Sequence, residues 1–421
     1  MTPPILDTLA VWWDGRQAGE LAIDKGGAMH FVYLSEWLAD DTAPPLSQAL
    51  PKRADAFDDR VCKAVFGGLL PEESQRTAIA RALGVSPDNP FRLLQALGGD
   101  VAGALSFLPT GEEPIKDHPD NDPEPLNEDE LVGLLDRLPA VPMLAGEGGA
   151  RLSLAGAQSK LPVVLTQDGR IAVPRPGEPS THLIKPEPER FPGLAANEAF
   201  CLALAQAVGL DAARAEWRQA QNKPLLLVER YDRILIDGRT QRLHQEDFAQ
   251  ASAVPSNRKY AAEGGPTFHD SFSLLRSAAT RPAREVLKLA DAAIFNLIVG
   301  NADAHAKNYS LLRLQTGEVV LAPLYDLVAT HMWTELSPRL AMRFGRAATI
   351  DEFDKESVAR FAEDAGLGAP FVRRRLDQIA EAVKAAIAKG VAVRGLDDQN
   401  AIAPVAKAIA RRAALAGQKL S

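Results

Sequence analysis

The stretch Gly300-Asn301-Ala302-Asp303-Ala304-His305-Ala306-Lys307-Asn308, running on through Tyr309-Ser310-Leu311-Leu312-Arg313-Leu314 to Val319-Val320-Leu321-Ala322-Pro323-Leu324-Tyr325-Asp326, decides how this chain is read. It begins where a helix stops. Residues Glu285 to Val299 place Val286, Leu289, Ala293 and Leu297 on one face, the spacing of an amphipathic helix. Gly300 then supplies the left-handed conformation that ends such a helix with little strain. An eight-residue polar loop comes next, Asn301 to Asn308. Two short apolar runs separated by Thr316-Gly317 predict a hairpin over 309–314 and 319–322, which delivers the chain to Asp326.

Asp303 and Asn308 stand five residues apart. Phosphoryl transfer needs a carboxylate that orients an attacking hydroxyl and accepts its proton, and hard oxygen ligands that hold magnesium against phosphates. In protein kinases the catalytic acid and a metal-binding amide share a loop at this i, i+5 spacing, and a second metal-binding acid stands after a hairpin. Asp303 is therefore expected to be the catalytic base, with Asn308 and Asp326 as magnesium ligands. Each residue alone has an ordinary structural reading: a turn cap, a backbone partner, a loop acid. Helix, capped loop, hairpin and second acid together favour the functional one.

The nucleotide half is expected upstream. Thr181-His182-Leu183-Ile184-Lys185 is a short strand ending in a lysine suited to clamp phosphates. Glu198 lies on a helix expected from Ala196 to Val208, with Phe200, Leu204 and Val208 in its stripe and Gly209 as its stop. It is placed to hold Lys185. Leu225 to Asp232 reads as a buried strand whose last residues could offer backbone groups to adenine. Ser153-Leu154-Ala155-Gly156-Ala157-Gln158-Ser159-Lys160 stands where a phosphate-covering loop belongs, although a single glycine is a weak signal. Gln245, Glu246 and Asp247 are expected either to tie the strand ending at Asp232, as an interlobe hinge, to the large lobe or to contact substrate.

The fold class expected is α+β: a bilobal kinase-like fold with an extra N-terminal subdomain. Val11-Trp12-Trp13, the Asp14-Gly15 turn, Gly19 to Ile23 and Phe31 to Leu34 predict strands, and Arg60 to Leu97 predicts helices. The boundaries drawn are 1–108 for this subdomain, 109–127 for an acidic Pro-rich linker, 128–248 for the ATP-binding lobe and 249–421 for a helical lobe. A helix is expected from Glu128 to Leu138. The C-terminal lobe is expected to hold one strand pair, and its basic end, with Lys407, Arg411, Arg412 and Lys419, reads as a solvated helix face.

Composition narrows the class. A net charge of −8 argues against a broad grip on nucleic acid, so any phosphate must be held by local chemistry. No apolar run is long enough to cross a bilayer. Met1-Thr2-Pro3-Pro4 lacks the basic flank of a secretory signal, and the expected location is cytoplasmic with no membrane partner. The 2 cysteines, Cys62 and Cys201, read as small buried apolar residues. No histidine spacing suits zinc.

Five ordered blocks resemble the signatures of HipA-type kinases: Ser153 to Lys160, Val228-Glu229-Arg230-Tyr231-Asp232-Arg233, His244 to Phe248, Asp303 to Asn308, and Leu324-Tyr325-Asp326. Phe91 to Gly98 and Val101 to Leu105 resemble the closing motif of that family's N-terminal lobe. The resemblance implies an ATP- and Mg2+-dependent serine/threonine protein kinase, the toxin of a toxin–antitoxin pair. Its substrate would be an aminoacyl-tRNA synthetase. A HipB-like helix-turn-helix antitoxin would restrain it and mediate contact with operator DNA. The resemblance makes Asp303 the base, places His305, Ala306, Lys307 and Asn308 near phosphate, and assigns Asp326 to magnesium. Tyr325 would line the nucleotide pocket and Lys185 would contact phosphate. Glu229, Arg230 and Tyr231 would bind adenine, and Ala155, Gly156, Ala157, Gln158, Ser159 and Lys160 would form the phosphate loop. Ser153 matches a serine whose autophosphorylation switches the kinase off. A reading from another class stays open: a non-catalytic co-repressor that binds the antitoxin on DNA.

Overall fold

The computed structural model describes residues 3–115, 123–145, 151–156 and 158–420, without the side chains of 417–420. Ala157 and the most acidic part of the Pro-rich linker, residues 116–122, lie outside the described residues.

The chain opens with strands β1 (Ile5–Trp13), β2 (Arg16–Asp24) and β3 (Met29–Tyr33), then helices α1 (Ser35–Ala39), α2 (Asp59–Val65), α3 (Glu73–Leu83) and α4 (Pro90–Leu97). Strand β4 (Leu105–Pro109) and helix α5 (Glu128–Arg137) come next, before strands β5 (Leu161–Leu165), β6 (Ile171–Ala172) and β7 (His182–Pro186). Helix α6 (Leu194–Ala207) precedes strands β8 (Ala215–Ala220), β9 (Lys223–Glu229), β10 (Arg233–Ile236), β11 (Arg239–Arg242) and β12 (His244–Asp247). Helices α7 (Phe248–Ala251), α8 (Phe268–Ala278) and α9 (Pro282–Val299) lead to strands β13 (Ser310–Arg313), β14 (Val319–Leu321), β15 (Arg339–Phe344) and β16 (Ala347–Thr349). Helices α10 (Lys355–Ala365), α11 (Ala369–Lys389) and α12 (Ala403–Leu420) complete the chain. The N-terminal part is rich in strands and the C-terminal part is mainly helical.

Two compact units share the chain: Met1–Lys185 with Arg230–Asn257, and Pro186–Glu229 with Arg258–Ser421. In the first, β3-β2-β1-β4 form an antiparallel sheet. Asp14 and Gly15 both take positive φ, 44° and 86°, which is what a two-residue turn matching the strand twist demands. Phe31, Phe57, Phe66 and Phe107 pack in this unit's core. Each buried ring of this size contributes about 1.5–3 kcal/mol. Trp12 is buried, while Trp13 packs its ring against His244.

Asp100, Ser180, Arg230, Asp232, Arg233 and Arg242 form a polar knot in the same unit. The Arg230 guanidinium donates to both oxygens of Asp232 (2.9 and 2.8 Å), to Ser180 Oγ (2.8 Å) and to Val101 O (2.8 Å). Arg233 donates to Asp100 Oδ1 (2.8 Å), Ser180 to Asp100 Oδ2 (2.6 Å) and the Gly103 N–H to Asp232 (2.7 Å). Burial alone would raise the Asp100 pKa, but Arg233, Arg230 and Arg242 outweigh it and hold the carboxyl well below its ordinary value. Burial, and then repulsion from Arg230, bring Arg233 down to about 10, still a cation at neutral pH.

Glu246 reaches back to the start of the chain. Its carboxylate accepts from Ser47 Oγ (2.5 Å) and the Gln48 N–H (3.0 Å), anchoring that N-terminal segment. Gln245 does reach the hinge residues, donating to Asp232 (3.0 Å) and accepting from the Tyr231 hydroxyl. Asp247 caps α7.

In the second unit β8 and β9 form a hairpin beside helices α6 and α8 to α12. Phe268, Phe272, Phe344 and Phe361 form its aromatic centre, Phe344 and Phe361 stacked at 4.1 Å. The β15–β16 hairpin is an addition to the single strand pair expected in this half. The Arg412 side chain also departs from expectation. It donates to Leu297 O (3.1 Å) and Ile298 O (3.2 Å), capping the C-terminal carbonyls of α9, and to Asp351 (2.7 Å). Lys407 and Arg411 are exposed, and Lys419 lies beyond the described side chains. Cys62 and Cys201 are buried, and burial pushes both thiols up to about 12. Among the described residues no helix is long and apolar enough to cross a membrane.

Candidate active site

Helix α9 starts at Pro282, a residue suited to the first helical position, and ends at Gly300 with φ 74°. The Asn301 side chain then organises the loop. Its Oδ1 accepts from the Asp303 N–H (3.1 Å), and its Nδ2 donates to Asn296 Oδ1 (2.9 Å) and Asp326 O (3.4 Å). One buried amide therefore ties the backbones of Asp303 and Asp326 together, a role that no spacing in the sequence signals. Asn301→Ala is expected to leave buried partners unsatisfied and to cost about 1–3 kcal/mol. Urea denaturation would show this, and an unchanged midpoint would contradict it.

Most of the loop is buried. Ala302, Ala304, His305, Ala306 and Lys307 are buried, whereas Asp303 is exposed. The Asp303 carbonyl accepts from the His305 N–H (2.8 Å) and from Asn308 Nδ2 (3.1 Å). This leaves the Asn308 side-chain oxygen as an available acceptor and joins the two loop residues by a direct bond. The Tyr260 hydroxyl donates to Asp303 Oδ1 (3.0 Å). The Tyr325 hydroxyl donates to Lys307 O (2.8 Å) and pairs with Ser310 Oγ (2.7 Å), pinning the loop to the hairpin's far end. β13 and β14 pair as expected, β13 one residue shorter at each end and β14 one residue shorter at its C-terminal end than the sequence spans. Glu285 of α9 accepts from the Leu321 N–H (3.0 Å), holding that hairpin to the helix.

Asp326 takes φ 52°, a left-handed conformation uncommon for a residue with a side chain. Its neighbours hold it there. Leu324 pairs with the segment after α6, its N–H donating to Asp211 O and its carbonyl accepting from the Ala213 N–H, both at 2.8 Å. Three residues beyond Asp326, Ala329 exchanges bonds with the buried Asn197 of α6, at 2.8 and 3.4 Å. Strain kept by anchors on both sides is a mark of functional positions.

The remaining candidates are divided between the two units. Glu198 is buried on α6, in the same unit as Asp303 and Asp326. Lys185 is buried at the end of β7, the last residue of its stretch of the first unit. The Gly156 φ is 118°, and a Cβ there would stand 2.6 Å from Lys160 Nζ, which donates to Ala155 O (2.8 Å). The loop thus closes on its own lysine around a position only glycine fits. Ser159 accepts from Gln75 (3.0 Å). Gln158 is partly exposed beside Ala157. Ser153 is buried, its hydroxyl donating to Leu69 O (3.0 Å). Glu229 is exposed, with its N–H on Arg214 O (2.8 Å). Arg230 has its guanidinium in the buried knot, and its N–H donates to Thr181 O (2.9 Å).

The model of the HipA N-terminal domain matches residues 9–108, and that of the HipA-like C-terminal domain matches residues 152–389. The chain is 54% identical over 384 residues to "Putative kinase Y4mE" of Sinorhizobium fredii, covering 90% of this chain and 91% of that protein. It is 32% identical over 391 residues to the serine/threonine-protein kinase toxin HipA of Shewanella oneidensis, covering 88% and 86%. Among solved structures, that of the Shewanella oneidensis MR-1 toxin–antitoxin system HipA, HipB and its operator DNA matches with a TM-score of 0.84 at 27% identity, covering 98% of this chain and 97% of that one. With both domain models matched in order and relatives aligned along most of its length, this chain belongs to the HipA family.

Proposed function

We propose that this chain is an ATP- and magnesium-dependent serine/threonine protein kinase, the toxin of a toxin–antitoxin pair. The observation that carries the reading is the exposed Asp303 on a largely buried loop, tied through Asn301 to the strained Asp326 and through its own carbonyl to Asn308. Asp303 accepts the proton of a serine or threonine hydroxyl as that oxygen bonds to the γ-phosphorus and the bond to ADP breaks.

The donor chemistry fits magnesium. Asn308 and Asp326 offer hard oxygens, and among the described residues no group of three or more His, Cys, Asp or Glu could hold an ion. A cation here would complete its shell with phosphate oxygens and water, the usual habit of Mg2+. Bound magnesium would neutralise charge on the phosphates. Lys185 would hold the phosphates with Glu198 as its support, and Gly156 to Lys160 would cover them.

Autophosphorylation of Ser153 would be self-limiting. A phosphate adds about −1.5 to −2 charges and cannot donate the bond now made to Leu69 O, so the segment would have to leave its buried seat. The Shewanella relative's complex with HipB and operator DNA supports a helix-turn-helix antitoxin as partner and contact with DNA through it. An aminoacyl-tRNA synthetase is the proposed substrate, and the cytoplasm the proposed location.

Purified chain incubated with radiolabelled Mg-ATP and cell lysate tests the reading. Label in a discrete protein band, released as phosphoserine or phosphothreonine, is expected. Label only in small metabolites, or no ATP-dependent label at all, would overturn it.

A further inference from the structure

Tyr260 stands 43 residues before Asp303, and none of the sequence patterns gives it a role. The fold brings it to the candidate base by a tightly closed loop. The Tyr260 carbonyl accepts from the N–H groups of Glu263 (3.0 Å) and Gly265 (2.9 Å), and Gly264 turns the chain at φ 86°. A Cβ at Gly265 would lie 2.2 Å from Arg258 O and 2.8 Å from Tyr260 O, so a side chain there would force the loop open. The phenol ring meets His305 edge to face, with centroids 5.4 Å apart. Lys259 Nζ sits 5.4 Å from its centre. A ring held in this way points its hydroxyl at Asp303 Oδ1, 3.0 Å away.

We propose that Tyr260 is a positioning residue for phosphoryl transfer, its hydroxyl fixing one oxygen of Asp303 so that the other faces the acceptor hydroxyl. The inference rests on the kinase reading. An ionised carboxylate only accepts hydrogen bonds, so one donor at a fixed point sets the plane of the group. Asp303 is exposed, and a donor held rigidly at one of its oxygens restricts how the carboxyl can turn. A general base must stand within about 2.6–3.2 Å of the proton it takes, and small misplacements are costly.

The test compares Tyr260→Phe, Tyr260→Ala, Asp303→Asn and the double variant Tyr260→Phe/Asp303→Asn with wild type. Each is assayed for transfer from radiolabelled Mg-ATP to lysate protein over a range of ATP concentrations, with thermal melts to confirm folding. Tyr260→Phe keeps the ring and its packing on His305 but loses the donor. It is expected to lower kcat about tenfold with KM for ATP unchanged. Tyr260→Ala should lose at least as much, and the double variant should be no slower than Asp303→Asn, because both changes act through one carboxyl. A wild-type kcat in Tyr260→Phe beside an inactive Asp303→Asn would overturn this inference alone, as would a Tyr260→Phe loss that adds in full to that of Asp303→Asn. An Asp303→Asn chain at the wild-type rate would overturn the kinase reading and this inference with it.

Discussion

Asp303→Asn is expected to melt at the wild-type temperature and to transfer phosphate about 10²–10⁴-fold more slowly, the loss typical of a general base. The structure separates the two effects. The bonds that shape the loop run through backbone atoms of Asp303: its N–H to Asn301 and its carbonyl to His305 and Asn308. An amide side chain disturbs none of them, and its oxygen can still accept from Tyr260. What it cannot do is take a proton at neutral pH. ATP affinity by calorimetry should therefore survive while turnover falls. Turnover near wild type would remove Asp303 from the mechanism.

Asp100→Ala is expected to be the most destabilising of these changes, by about 3–5 kcal/mol, because it strands buried cations rather than removing a neutral pair. Arg233, Arg230 and Arg242 all bond to the Asp100 carboxylate; Arg230 and Arg233 are buried with it, and Arg242 is part-exposed. The pH dependence has a definite sign. Asp100 and Asp232 ionise below the ordinary carboxylate range in the folded chain, despite burial, because the arginines favour their charged form. Their contribution is thus fully present above about pH 4, the unfolded value, and is lost as pH falls through the depressed folded values. Thermal melts from pH 7 downward should show a steep acid loss in wild type that is shallower in Asp100→Ala. Equal acid slopes in the two chains would contradict the assignment.

The loop from Asn301 to Asn308 and the hairpin after it were legible because their signals are local. Gly300 stops a helix, Thr316-Gly317 turns a hairpin and the Asp303–Asn308 spacing lies within one loop, all features set by adjacent residues. The β15–β16 hairpin was missed because Arg339 to Phe344 mixes two arginines into a short run, although Gly345, at φ 59°, marked the turn. Long-range partners left no trace in spacing. Asp100 meets Arg230 across 130 residues and Glu246 meets Ser47 across 199, so the sequence could show that these groups are polar or charged but not whom they face. Arg412 looked like one more cation on a solvated helix, and only the fold sets it on the end of α9. Asn301 and Tyr260 were hidden for the same reason: their function lies in bonds to a backbone atom or a carboxylate that folding brings near.

The most direct measurement is a crystal structure of the chain grown with magnesium and a non-hydrolysable ATP analogue. Oxygens of Asn308 and Asp326 should ligate the ion at about 2.0–2.1 Å, with Lys185 Nζ on a phosphate and the Asp303 carboxylate open toward the γ-position. A nucleotide seated elsewhere, or an ion that touches neither Asn308 nor Asp326, would contradict the proposed chemistry.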